Sequence, residues 1–309
     1  MSQPEADLAQ SASDADRLRT GDGDYSPITP DQVLDFERYE REVDGLHARY
    51  TEAQPFPHIV LDDFLGPEAA HRAIEEFPSL TAAEWNSFIH ANEKKFSNTR
   101  PESWGPSLQT VLDVVQSPRF VDFLTRLTGI DNLLIDESLM GGGLHQSVTG
   151  GFLNIHADFT VHPRHRTWRR RVNLLVYLNE QWPSEYGGDL ELWSTDMKRC
   201  VQRVAPIGNR AVIFTTDADS FHGHPEPLRS PPGLARQSLA LYYFTVEDKP
   251  KVRSTEYRAR PGDGARSVVI YLDKHIVRLY DRTKRRLGLK DESAGRLLNY
   301  IARLGRRSR

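Results

Sequence analysis

His156 and Asp158 stand two residues apart in Asn154-Ile155-His156-Ala157-Asp158. On a β-strand, where successive side chains alternate between faces, both would project from the same one and form a preformed two-ligand edge. A third ligand must come from a different strand, and Ser220-Phe221-His222-Gly223-His224 offers two candidates, with His222 preferred and His224 its rival. Two imidazoles and one carboxylate on one face of an octahedral ion leave three positions open, which suits a non-haem Fe(II) oxygenase rather than a closed structural zinc site. Sulfur is excluded from the ligand set and from any internal disulfide, because Cys200 is the only cysteine.

Further along, Arg236-Gln237-Ser238 opens an apolar run and puts a guanidinium and a hydroxyl on one strand face. Such a pair can clamp a carboxylate through a charge-assisted fork and a second hydrogen bond. The metal edge and the clamp thus fall in one stretch of sequence.

The elements that must position these residues are short strands. From Asn132 to Val246 the chain runs through LLIDESL, GGFLNIHADF, RVNLLVYLN, GGDLELW, CVQRVAPI, NRAVIFT and RQSLALYYFTV, separated by Gly, Pro, Asn and Ser turns, which predicts an antiparallel sandwich or barrel. Before it, Thr29-Pro30-Asp31-Gln32 predicts a capped helix through Val33, Phe36, Tyr39 and Val43, and PFPHIVLDDFL a strand. A helix opening at Pro67 and another over Leu108–Leu127 would buttress the sheet. After it, Val269, Leu272, Ile276 and Leu279, then Leu297, Leu298, Ile301 and Leu304, predict two amphipathic helices, the first ended by Gly288. The expected organisation is a disordered segment at 1–28, a helical and strand support region at 29–131, a catalytic β core at 132–250 and a basic helical extension at 251–309.

His156-Ala157-Asp158, then His222, then Arg236-Gln237-Ser238, in that order, resemble the iron(II)/2-oxoglutarate-dependent dioxygenase superfamily, in particular its prolyl-4-hydroxylase-like branch. PFPHIVLDDFL is similar to the entry segment of related bacterial members, and Gly187-Gly188-Asp189-Leu190 resembles the family's GGxL turn into the following strand. The resemblance implies an α+β fold with a mainly β core, a double-stranded β-helix of the jelly-roll or cupin-like kind. It implies Fe(II) held by His156, Asp158 and His222, with O2 and with 2-oxoglutarate as cosubstrate. Arg236 would pair with the cosubstrate's 5-carboxylate, Ser238 would assist, and Asn173 and Tyr177 would face it. The reaction implied is hydroxylation of an unactivated C–H bond of a small-molecule, natural-product or peptidyl substrate, with release of succinate and CO2. Leu153 and Arg236 stand where prolyl hydroxylases usually carry tyrosine and lysine, so a prolyl substrate is not required. His222 to Arg236 is a longer interval than usual, which keeps His224 in view. The family places a core-packing residue two positions after its distal histidine, and His224 would fill that slot. A cupin-like metal-dependent hydrolase or isomerase would need the metal ligands but not the clamp.

Charge is uneven. The formal net charge is -3, yet from Lys251 onward 17 Lys and Arg face 6 Asp and Glu. That tail offers contact with an acidic partner or a second copy of the chain, and without aromatic interleaving it does not point to nucleic acid. Arg164, His165, Arg166, Arg169, Arg170 and Arg171 read as a solvated loop, with the mouth of the active site as the alternative. Tyr242, Tyr243 and Phe244 read as core. No long apolar run or signal-like N-terminus is present, and the expected location is cytoplasmic.

Overall fold

In the computed structural model the described residues are 27–271, except Glu84 and Ala265. Residues 1–26 of the expected lead-in and the predicted helical positions from Leu272 onward lie outside them. Ile28, at the end of that lead-in, is buried in the helical core.

Ahead of the sheet's main strands lie the α-helices α1 (Pro30–Val33), α2 (Phe36–Glu52), α3 (Pro67–Glu75), α4 (Pro106–Val115) and α5 (Pro118–Thr128). The helix predicted from Thr29 is two. Leu34 adopts an extended conformation and Asp35 starts the second helix by accepting the Arg38 N–H at 2.9 Å. The helix predicted over Leu108–Leu127 is also two, because Pro118 lacks the N–H that would continue the first. Ser117 caps the second, and Gly129 closes it with a left-handed φ of 69°.

The strands are β1 (His58–Leu61), β2 (Asn86–His90), β3 (Glu93–Asn98), β4 (Leu134–Ile135), β5 (Gly143–Val148), β6 (Phe152–Ala157), β7 (Trp168–Tyr177), β8 (Leu190–Trp193), β9 (Cys200–Val204), β10 (Ala211–Thr215), β11 (His222–His224), β12 (Ala235–Val246) and β13 (Glu256–Tyr257). Their order is β1-β10-β7-β12-β5-β3-β6-β11-β8-β9, almost wholly antiparallel. One wall is β10-β7-β12-β5 and the other β6-β11-β8-β9, so β5 to β12 wind back and forth between two four-stranded walls. This is the expected double-stranded β-helix. The predicted strand in PFPHIVLDDFL is β1, which lengthens the first wall through Leu61↔Ala211 and His58↔Phe214.

Alternation along β7 decides what each wall faces. Val172, Leu174 and Val176 join the helices in the large apolar core, with Phe120, Phe123 and Leu127 of α5. Asn173, Leu175 and Tyr177 turn to the barrel interior. The hairpin β2–β3 and the strand β5 were not foreseen: Gly143-Leu144-His145-Gln146-Ser147-Val148 and Glu93-Lys94-Lys95-Phe96 carry too many polar side chains for an apolar alternation. Strand β3 pairs with β5 at one end and β6 at the other, closing one side of the barrel. The described start of the basic extension is not all helical. Its β13 adds to β6, with Tyr257 opposite His156, before residues 266–271 turn helical and include Val269.

Candidate active site

His156 is the fifth residue of β6, and Asp158 immediately follows that strand's end. Across the ladder, His222 is the direct partner of His156, and the two rings lie 4.5 Å apart between centroids. His156 Nε2 stands 3.5 Å from Asp158 Oδ1, and His222 Nε2 stands 3.5 Å from Asp158 Oδ2. One donor atom from each of the three residues falls within 4.8 Å of the others.

Both histidines are set by their own backbone. His156 Nδ1 lies 2.9 Å from the Asn154 carbonyl, and His222 Nδ1 lies 2.9 Å from the Ser220 carbonyl. Since a carbonyl only accepts, each Nδ1 carries the proton and each Nε2 presents a lone pair to the shared space, as an imidazole ligand requires. Burial, with the neighbouring His156 ring, pushes His222 down to about 4 against the pull of Asp158, so it is neutral near pH 7.

Asp158 is held from behind. Its Oδ2 accepts from Arg170 Nη2 at 2.8 Å and from Asn173 Nδ2 at 2.9 Å. Arg170 is 1% exposed. It also donates from Nε to Asn173 Oδ1 at 2.8 Å, and its guanidinium lies 3.3 Å from the centroid of the Tyr242 ring. Burial opposes charge on Asp158, but Arg170 and the two imidazoles outweigh it and hold the carboxyl well below the usual carboxylate range.

The expected solvated loop therefore needs correcting: Arg169, Arg170 and Arg171 lie on β7, and Arg170 points inward, while Arg164, His165 and Arg166 are exposed. The reason is strand alternation, which turns one arginine of three to the interior, where a carboxylate meets it. Tyr243 and Phe244 are core as expected, but Tyr242 lines the cavity.

Of the other expected residues, all but Tyr177 line that cavity. Arg236 and Ser238 line it with His156, Asp158, Asn173 and His222. Along β12 and β7 the interior-facing cross-strand pairs run Tyr242↔Asn173, Ala240↔Leu175 and Ser238↔Tyr177, from the histidine–aspartate cluster to the Arg236 end. Arg236 is 7% exposed, donates from Nε to the Gly188 carbonyl at 2.7 Å and from Nη2 to the Tyr177 hydroxyl at 3.0 Å. Tyr177 thus meets Arg236, and Asn173 meets Asp158. Gly188 has a φ of 83°, and a Cβ there would meet Leu228 Cδ2 at 2.5 Å and Arg236 Cδ at 3.0 Å. His224 lines the cavity without joining the three-donor cluster. Lys95 and His145 also line it and were not foreseen, since they lie on β3 and β5.

Residues 142–244 match the 2OG-Fe(II) oxygenase superfamily. The chain carries a 2OG-Fe(II) oxygenase domain. No curated protein matches it in sequence. Among solved structures, a prolyl 4-hydroxylase structure from Phytophthora capsici aligns at 18% identity and a TM-score of 0.52, covering 92% of this chain and 97% of that one. A Trichoplax adhaerens prolyl hydroxylase, in complex with a hypoxia inducible factor peptide fragment, aligns at 17% identity and a TM-score of 0.50, covering 68% of this chain and 92% of that one. These likenesses establish that the oxygenase domain shares its fold with prolyl hydroxylases.

Fe(II) and 2-oxoglutarate are the cofactors of such a domain, and the residues present suit them. Two Nε2 lone pairs and one carboxylate, with no thiolate, are the donor set of a ferrous site with open positions. A buried guanidinium in the same cavity suits a dicarboxylate. Among the described residues no helix is long and apolar enough to cross a membrane.

Proposed function

We propose that this protein is an Fe(II)- and 2-oxoglutarate-dependent dioxygenase that hydroxylates an unactivated C–H bond of a small-molecule or peptidyl substrate. In this reading His156, Asp158 and His222 hold the iron, and residues 132–250 hold the chemistry while 29–131 brace them. The observation that carries it is the placing of the three donors and the buried Arg236 in one cavity.

The metal with its cosubstrate supplies the oxidant, an O2-derived oxygen delivered to a C–H bond as 2-oxoglutarate loses CO2 to become succinate. The chain supplies orientation. Arg236, itself oriented by Gly188 and Tyr177, pairs with the distal carboxylate of the cosubstrate, and Ser238 adds a hydroxyl from the same strand face. Arg170 and Asn173 hold Asp158 through Oδ2, which His222 also approaches, leaving Oδ1 turned to His156. Asp158 fills with a carboxylate the position that a halide would need, so hydroxylation rather than halogenation follows. The single cysteine suits a reducing, cytoplasmic setting.

Succinate formation tests the reading. Purified protein given Fe(II), ascorbate, 2-oxoglutarate and air should form succinate slowly without substrate and faster with fractions containing it. His222→Ala should abolish this turnover. A wild-type protein that binds iron and forms no succinate under any of these conditions would favour the cupin-like hydrolase or isomerase instead.

A further inference from the structure

His224 differs from the two cavity histidines on either side of it in how its ring is tied. It is 4% exposed, sits two residues beyond His222 on β11 and lines the same cavity as Arg236. Its Nδ1 is buried and has no hydrogen-bond partner. His156 and His222 each anchor Nδ1–H on a carbonyl two residues earlier, whereas the chain bulges between His222 and His224 and gives His224 no such acceptor.

The tautomer follows from this difference. A proton on His224 Nδ1 would be a buried donor with nothing to accept it, which is unfavourable. The neutral ring therefore carries its proton on the other nitrogen, Nε2. So His222 turns a lone pair to the space shared with His156 and Asp158, while His224, two residues on and lining the same cavity, carries its N–H on Nε2. The first arrangement is a metal ligand, and the second is a hydrogen-bond donor for an anion.

Resting on the proposed reading of the cavity, we propose that His224 is a cosubstrate-binding residue, its Nε2–H donating to the 2-oxoglutarate carboxylate that Arg236 pairs. The cavity would then grip that carboxylate from two walls, Arg236 on β12 and His224 on β11. Gly223 makes the second grip reachable. A Cβ there would meet the Leu153 and Asn154 carbonyl oxygens at 2.7 and 2.8 Å, so only glycine lets β11 lie this close to β6.

Anaerobic calorimetry of the Fe(II)-loaded protein with 2-oxoglutarate tests this, with Fe(II) affinity and melting temperature measured on each variant. His224→Val should weaken 2-oxoglutarate binding about tenfold, as expected for one hydrogen bond to a charged group, and leave Fe(II) affinity unchanged. His224→Gln, which keeps an N–H donor, should recover part of the loss. Wild-type binding with no change in His224→Val, or a loss of Fe(II) affinity in both variants, would overturn the assignment while leaving the dioxygenase reading standing. Failure of the iron-loaded wild type to bind 2-oxoglutarate would overturn that reading itself.

Discussion

Arg170 Nη2 donates to Asp158 Oδ2 at 2.8 Å, an ion pair whose arginine is buried and which lies directly behind the carboxylate that faces both site histidines. Removing one member of a buried pair leaves the other uncompensated, so the pair orients Asp158 and also makes it costly to disturb.

Arg170→Gln should therefore weaken Fe(II) binding by about 10- to 100-fold, the usual range for loss of a residue that orients a ligand. Arg170→Lys should fall between it and wild type, because an ammonium restores the charge without the fork that also reaches Asn173. Metal titration followed by calorimetry reads both. Equal Fe(II) affinity in wild type and Arg170→Gln would show that Asp158 needs no such support.

Arg236→Ala should raise the 2-oxoglutarate concentration needed for half-saturation by about 30-fold or more, since a charge-assisted contact in a buried cavity is lost. Fe(II) affinity should hold. A parallel loss of both would mean that Arg236 acts on the whole cavity and not on the cosubstrate.

Gly188→Ala tests the same clamp without touching its charge. The left-handed φ and the approach of Leu228 and Arg236 leave no room for a methyl group, so Arg236 must shift from the Gly188 carbonyl. Weaker 2-oxoglutarate binding and a lowered melting temperature are expected. Unaltered cosubstrate affinity would separate Arg236 from this turn.

His145 supplies a pH dependence. Burial first, then the Lys95 charge, pushes its imidazole down to about 3, while an unfolded histidine titrates near 6.5. Between those values the unfolded chain binds the extra proton, so His145 weakens the fold progressively as pH falls below about 6.5 and contributes no slope above it. The melting temperature of the apoprotein should drop less steeply between pH 6.5 and 5 in His145→Gln than in wild type. Identical slopes would show that His145 takes up its proton without cost.

The parts of the site that were legible in sequence are those fixed by local geometry. His156 and Asp158 announce themselves because strand alternation is a two-residue rule, and Arg236 with Ser238 obeys the same rule. The fold class followed from short apolar runs broken by turns. Arg170 was hidden because its partner is twelve residues away, and in a run of basic residues nothing local marks the one that turns inward. Lys95 and His145 were hidden because β3 and β5 face a polar cavity, so their alternation is not apolar. Pro118 could have split the helix predicted over Leu108–Leu127, since the break lies in the residue type itself. The choice between His222 and His224 needed the pairing of β11 with β6, which no spacing along the chain contains.

The central claim is that His156, Asp158 and His222 hold iron beside a cosubstrate gripped by Arg236. Anaerobic titration of the apoprotein with Fe(II) and 2-oxoglutarate, followed by its weak visible charge-transfer absorption, tests it most directly. The account predicts a band in wild type, none in His222→Ala, one that needs about tenfold more 2-oxoglutarate in His224→Ala, and one that needs far more still in Arg236→Ala. Wild-type protein with iron bound and no band at saturating 2-oxoglutarate would contradict it.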